Sequence, residues 1–139
     1  MQPEWAQGAP GTGPPVRILI IDDHEVSRAA LRALLQTEGF HVAELGSGDD
    51  LVAAVVAFGP AVAVVDVTPG QPAGFGIARR LGKLARPPVV VLTSSAGRRS
   101  FGSRLDGQLF VAKADLCAAA IRRQIEAADG TARPAAPAT

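Results

Sequence analysis

Two rhythms of apolar and polar residues alternate along this chain. Val16–Ile21 (VRILII), Ala61–Val65 (AVAVV) and Val89–Leu92 (VVVL) are short, nearly continuous aliphatic runs. Their length and β-branched content predict strands covered on both faces. His41–Leu45 and Leu109–Ala112 predict two more. Between the strands the period lengthens. Val26, Ala29, Ala30, Leu34 and Leu35 recur at helical spacing until Gly39, and Asp49–Phe58 is a mostly apolar helix closed by Gly59-Pro60. Phe75–Leu84 predicts a third helix stopped by Pro87-Pro88, and Arg98–Leu105 a short fourth. Asp115 is placed to cap a fifth, with apolar positions at Leu116, Ala120, Ile121 and Ile125. Five strands alternating with five helices predict an α/β fold: a doubly wound parallel sheet with helices on both faces.

The ends break this rhythm. Residues 1–15 are rich in Gly and Pro and predict a disordered leader. Gly130 is expected to stop the last helix, leaving residues 130–139 as a disordered Pro/Ala tail and residues 16–129 as one domain. That domain has the means to bury a core, the chain being 47% hydrophobic and 19% charged. A net charge of +1 supplies no global pull toward nucleic acid or acidic membrane. No apolar run reaches the roughly 18–20 residues that span a bilayer. With no signal-peptide pattern and a lone cysteine, Cys117, the expected location is the cytoplasm. Lys83 and Lys113 are the only lysines in an arginine-dominated chain, which draws attention to any role needing a compact ammonium.

The chemistry lies at the carboxyl end of each strand. The first strand runs into Asp22-Asp23, the third into Asp66, the fourth into Thr93-Ser94 and the fifth into Lys113. Open parallel sheets bind ligands beyond these ends, where strand order reverses. In a sheet ordered 2-1-3-4-5 that point lies between strands one and three, the two that deliver the carboxylates. Any one Asp after a strand is explained by capping. Three in one crevice are not, because two carboxylates about 5 Å apart repel by roughly 3 kcal/mol at an effective dielectric near 20. Such a cluster suits a divalent cation, and hard oxygen ligands with room for water suggest Mg²⁺. On the same reasoning, exchanging Asp22 or Asp23 for Asn should relieve the metal-free site. Mg²⁺ beside a nucleophilic carboxylate, an ammonium and a hydroxyl is equipment for phosphoryl transfer. His24 and His41 are expected to be structural rather than ligands.

Taken together, the segments ILIIDDHEVSR, VAVVDVTPG, VVVLTSS and FVAKADL resemble the response-regulator receiver family over about Val16 to Ala128. The resemblance implies a flavodoxin-like fold and a phosphorelay role, with Asp66 as phosphoacceptor. It implies Mg²⁺ held by Asp22, Asp23 (more directly), Asp66 and the Thr68 backbone carbonyl. Thr93 and Lys113 would contact the phosphoryl group, and Thr93 and Phe110 would form the switch. It implies a histidine kinase or phosphotransfer protein as donor. The output would be a downstream protein or a second copy, met through the fourth helix, fifth strand and fifth helix, and not membrane or nucleic acid. Such a protein is not an enzyme beyond assisting its own phosphorylation and dephosphorylation. The opening DDHE is most similar to receivers that precede helix-turn-helix output domains, so the chain equally reads as the receiver part of a longer DNA-binding regulator. Three positions depart from the family. Pro69 comes third after Asp66, Ala114 replaces the usual proline after Lys113, favouring a trans peptide there, and Phe110 replaces the usual Tyr.

Two other function classes are open to these residues. A receiver used only as an interaction scaffold would do without phosphorylation, but every group the chemistry requires is retained. A phosphatase of the haloacid dehalogenase type also forms an aspartyl phosphate. It needs its two acids two residues apart after strand one, whereas Asp22 and Asp23 are adjacent.

Overall fold

In the computed structural model, which describes residues 14–46 and 50–132, the aliphatic runs become the sheet. Its strands are β1 (Arg17–Ile21), β2 (His41–Leu45), β3 (Val62–Asp66), β4 (Val89–Ser94) and β5 (Leu109–Ala112). All four pairings are parallel and the order is β2-β1-β3-β4-β5. The reversal between β1 and β3 therefore stands where the strand pattern predicts it. Four α-helices cover the sheet: α1 (Glu25–Thr37), α2 (Leu51–Phe58), α3 (Ala73–Gly82) and α4 (Ala118–Ala132). The expected fourth helix is instead a 3-10 segment, Arg98–Leu105. Gly102 breaks it at φ 56°, ψ −135°, a left-handed backbone that glycine adopts without cost.

Strand alternation divides the core in two. Leu19, Ile21, Ala63, Val65 and Leu92 face Leu51 and Val55 of α2, Phe75 and Leu81 of α3, and Phe101 and Leu105. Ile18, Ile20, Val62, Val64 and Val91 face Leu31 and Leu35 of α1 and Leu116, Ala120 and Ile121 beside and within α4. The phase of α1 differs from the one its apolar residues predict. Val26 is 84% exposed and Leu34 is 42% exposed, while Leu31 and Leu35 are buried. Polar groups set that phase, because Arg28 is drawn to the Glu44 carboxylate of β2 and to the Asp22 carbonyl just beyond β1.

The boundaries of α4 also differ. Asp115 lies in a 3-10 turn, Lys113–Asp115, and the helix begins three residues later. Its N-terminus is capped from far away: the Ala118 backbone N–H donates to Glu38 Oε1 at 2.7 Å. A carboxylate there meets both an orphan donor and the positive end of the helix dipole. At the other end Gly130 does not stop the helix, which runs to Ala132. The expected leader and tail fall largely outside the described residues. Glu38→Ala should lower stability by about 1 kcal/mol, the usual value of a cap. Urea melts of the two proteins check this, and Glu38→Gln should recover part of the loss.

Candidate functional site

The ends of β1, β3, β4 and β5 deliver polar groups to the same edge of the sheet. Asp66 ends β3 and lies opposite Thr93 in the β3–β4 register, and Ser94 lies opposite Ala112, the residue before Lys113. Loop backbones hold these ends together. The Asp22 N–H donates to the Leu45 carbonyl at 3.2 Å, and the Val67 N–H donates to the Thr93 carbonyl at 2.8 Å. The loop after Asp66 turns at Thr68-Pro69-Gly70-Gln71. The Gln71 N–H donates to the Thr68 carbonyl at 3.1 Å, and Gly70 has φ 80°. Proline second and a positive-φ glycine third is the residue pattern of a type II turn. The departure from the family's usual sequence is therefore absorbed by a tight turn that leaves Thr68 on the wall of the cleft.

At the centre, Lys113 Nζ lies 3.1 Å from Asp22 Oδ2 and 3.0 Å from Asp66 Oδ1. Both carboxylates are deep, with side chains 2% and 10% exposed. The remaining oxygens turn toward His24. Its Nδ1 is 3.1 Å from Asp22 Oδ1 and 3.7 Å from Asp66 Oδ2, and its backbone N–H donates to Asp22 Oδ1 at 2.8 Å. Burial pushes the Asp22 carboxyl up, but the His24 N–H and Lys113 together outweigh it and hold the group below its ordinary value. Burial also pushes Asp66 up, Lys113 counters, the negative charge of Asp22 adds to the rise, and the result is a raised carboxyl. Burial lowers the Lys113 ammonium, yet its bonds to Asp66 and Asp22 leave it above its ordinary value.

Asp22, His24 and Asp66 line a cleft of about 230 Å³ together with Asp23, Thr68, Gln71 and Gly74. Asp23 is exposed at its lip. The atoms that converge most closely belong to Asp22, His24 and Asp66, all within 4.8 Å of one another. The buried Asp22 and part-buried Asp66 carboxylates set against one ammonium leave a negative charge uncompensated, which fits a cation. Thr93 supplies the second sign of fit. It is 2% exposed and its Oγ1 has no hydrogen-bond partner among the described residues. An orphaned buried hydroxyl costs about 1–3 kcal/mol unless a ligand oxygen satisfies it.

Glycine is required beside the site. A Cβ at Gly74 would lie 2.5 Å from the Asp66 carbonyl oxygen and 2.8 Å from Val67 Cγ1. Backbone cannot yield as a side chain does, so Gly74→Ala must push α3 away from the end of β3. A loss of about 1–3 kcal/mol is expected, measurable by thermal melting.

Phe110 is buried in β5, within a row of three rings. Phe75 and Phe101 centroids are 6.0 Å apart, and those of Phe101 and Phe110 are 5.9 Å apart. Arg98 lies 5.3 Å above the Phe110 ring. The peptide after Lys113 is trans, as expected without proline there, since no described peptide bond is cis.

Two residues of this neighbourhood are absent from the sequence-based set. A structural role is expected of His24, but its ring faces both buried acids, whereas His41 packs edge-on against Phe58 at 5.3 Å. Arg28 donates from Nη1 to the Asp22 carbonyl at 2.6 Å and from Nε to Glu44 Oε1 at 2.7 Å. Arg32 Nη1 donates to Glu44 Oε2 at 2.7 Å, and the two guanidinium groups hold that carboxyl below its ordinary value. The available signal is Arg28 and Arg32 one helical turn apart, facing the single acid of the second strand.

Comparison with known proteins agrees with this fold. A family model described as response regulator receiver domain matches residues 18–114. Protein-glutamate methylesterase/protein-glutamine glutaminase 5 of Myxococcus xanthus is 38% identical over 89 residues, which are 62% of this chain and 25% of that protein. The chain thus spans about a quarter of the length of this curated relative, and the activity in its name stays with it. Among solved structures, a CheY-like response regulator receiver domain from Methylobacillus flagellatus superimposes with TM-score 0.65 at 18% identity, covering 81% of this chain and 98% of that one. The signal receiver domain of a modulated diguanylate cyclase from Desulfovibrio desulfuricans gives 0.62 at 24% identity, covering 84% and 95%. At these identities the two structures speak for the fold alone. The family match, lying over the strands and loops that build the acidic cleft, shows that this chain belongs to the response-regulator receiver family.

Proposed function

We propose that this chain is a phosphorelay receiver that accepts a phosphoryl group on Asp66. The observation that carries the reading is the ammonium of Lys113 held at 3.0 Å from one Asp66 oxygen and 3.1 Å from Asp22. In the reaction an Asp66 oxygen attacks phosphorus in line. The bond from phosphorus to the donor's nitrogen or oxygen breaks, and its electron pair leaves with the donor. Lys113 remains beside the transferring group and neutralises charge on its equatorial oxygens. The Thr93 hydroxyl, without a partner among the described residues of the resting site, donates to a phosphoryl oxygen after transfer.

Mg²⁺, when bound, supplies further charge neutralisation at the phosphoryl oxygens. Asp22 and Asp66 would hold it, with Asp23 at the lip and Thr68 on the cleft wall, its carbonyl already accepting the Gln71 N–H and offering its second lone pair to the ion. Donors fitting this chemistry are a histidine kinase, a phosphotransfer protein or a small acyl phosphate, and the expected setting is cytoplasmic. Among the described residues no helix is long and apolar enough to cross a membrane. Residues 16–129 would constitute the working unit, which turns over no external substrate.

Output is assigned to Phe110. Its ring closes one side of a groove of about 540 Å³, lined also by Arg98, Asp115 and Arg123. Drawing Thr93 toward a phosphoryl group would shift the end of β4, where Leu92 lies opposite Phe110 of β5 and packs in the same cluster as the ring row. Phe110 repacks by shape alone, having no hydroxyl to exchange, and the groove between the 3-10 segment, β5 and α4 changes form. That groove is where a downstream protein or a second copy would meet the chain. Such a response shifts a balance between existing states.

Incubation with acetyl phosphate and Mg²⁺ and then intact-mass measurement tests the reading. The expected result is one added phosphoryl group, absent when Mg²⁺ is chelated. No mass change under saturating donor would refute it.

A further inference from the structure

We propose that the groove between α3 and the 3-10 segment is a binding site for a small phosphomonoester of about mononucleotide size. A cavity of about 370 Å³ lies there, walled by Phe75, Ala78 and Gly82 of α3 and Val90 of β4. Val90 lies opposite Ala63 near the start of β3, so the cavity sits toward the other edge of the sheet from Asp66. It shares no lining residue with the acidic cleft or with the groove beside Phe110.

The fold makes this space in two ways. Ala78 and Gly82 stand one helical turn apart and leave the wall of α3 without bulk. Across from them the narrow 3-10 segment, bent at Gly102, stands where the sequence pattern predicts a helix. The volume lies in the range of small-molecule sites, and mostly apolar walls with a few polar groups are their usual make-up.

The polar groups here are Arg79, Arg104 and Gln108, and no acid lines the cavity. Among the described residues neither guanidinium has an ion-pair or hydrogen-bond partner, whereas Arg28 and Arg32 share Glu44. Arg79 stands in the last turn of α3, whose negative end offsets only about half a charge. The Arg104 guanidinium lies 4.3 Å above the Phe75 ring, which holds the charge in place but offers no oxygen to its N–H donors. Two guanidinium groups with unused donors match the charge and the oxygens of a phosphate dianion. The apolar wall takes the organic body, and the Gln108 amide both donates to and accepts from its polar edge. Phe75 also opens the row of rings that ends at Phe110, so a ligand drawn to Arg104 presses on that row. Occupancy and phosphorylation then shift each other's free energy by the same amount. That coupling, unlike the binding, rests on Asp66 being the phosphoacceptor and Phe110 the output residue.

The test titrates AMP into the full chain without Mg²⁺ or a phosphodonor, followed by amide NMR and calorimetry. AMP should shift the amides of Ala78, Gly82 and Gln108 and bind about tenfold or more tighter than adenosine or inorganic phosphate. Arg79→Gln and Arg104→Gln should each weaken AMP by about tenfold or more. Gly82→Leu keeps both charges and fills the groove. A Cβ at Gly82 meets nothing within 4 Å, so the fold accepts the change, and AMP binding should be lost. Unshifted cavity amides at millimolar AMP, equal affinities for AMP and adenosine, or undiminished binding in Gly82→Leu overturns the site. After treatment with acetyl phosphate and Mg²⁺, AMP affinity should change by about fivefold or more, and equal affinities in both forms overturn the coupling. A chain that binds AMP at these amides yet takes no phosphoryl group refutes the phosphoacceptor reading and upholds the site.

Discussion

Replacing Lys113 with methionine should cost about 1.5–3 kcal/mol of stability at neutral pH, the value of a hydrogen bond to a charged group, because the pair is only partly buried. Methionine keeps most of the side-chain bulk, so the loss reports charge. Without the ammonium, the Asp22 and Asp66 carboxylates face each other across less than 5 Å, where like charges repel by about 3 kcal/mol at an effective dielectric near 20. The pH dependence should steepen as well, because the raised Asp66 of the wild type already gains stability as pH falls through its folded value. In the wild type the raised Lys113 contributes stability that is whole below its unfolded value and is lost as pH rises through the folded one. The lowered Asp22 contributes stability present above its unfolded value and lost as pH falls through the folded one. Between these limits the contribution of the pair is flat. In Lys113→Met the counter-ion is gone, so a carboxyl takes up its proton at higher pH and stability should rise more steeply than in the wild type as pH falls below neutrality. Urea melts across that range measure it, and a profile parallel to the wild type with a loss under about 1 kcal/mol would show the pair to be energetically idle.

The second large effect concerns Asp66→Asn, whose stability relative to the wild type should reverse with Mg²⁺. Asp66 is raised, so its ionised form weakens the metal-free fold at neutral pH, and that cost is relieved as pH falls through its folded value. Asparagine removes the repulsion of about 3 kcal/mol but also a charged hydrogen bond worth about 1.5–3 kcal/mol. The net is a gain on the order of 1 kcal/mol, or a few degrees of melting temperature. Mg²⁺ at a hundred times its Kd stabilises the wild type by about 2.7 kcal/mol, while the variant, short of a ligand, should respond weakly. Asp66→Asn should therefore melt higher without the ion and lower with it. Parallel shifts in both proteins would place Mg²⁺ elsewhere. The same electrostatics reverse one sequence-based expectation. Neutralising Asp22 should destabilise the metal-free protein, because Lys113 and the His24 N–H make that carboxylate a favoured charge.

The sheet is legible in the sequence because a strand covered on both faces has little choice of residue. The runs at β1, β3 and β4 are almost wholly aliphatic, and each ends at the polar group it delivers. The site inherits that legibility: once the order is 2-1-3-4-5, Asp22, Asp66, Thr93 and Lys113 have one edge to share. The features that escape a sequence reading depend on contacts between elements distant in the chain. The α4 cap comes from Glu38, 80 residues upstream of Ala118, whereas the pattern points to the nearer Asp115. The inner face of α1 is set by Arg28 reaching Glu44 and the Asp22 carbonyl, a polar preference that an apolar stripe does not encode. Residues 98–105 have helical length but tighten into 3-10 turns around Gly102. His24 looks structural in the sequence because a lone histidine at a helix start usually is, and only the folded loop turns its ring toward two buried acids.

Borohydride reduction of the protein after acetyl phosphate and Mg²⁺ treatment addresses the central assignment most directly, since it converts an aspartyl phosphate to homoserine at the modified position. Peptide sequencing by mass spectrometry should find homoserine at position 66 and aspartate retained at 22 and 23. Homoserine at either of those positions, or at none, would contradict the assignment of Asp66 as phosphoacceptor.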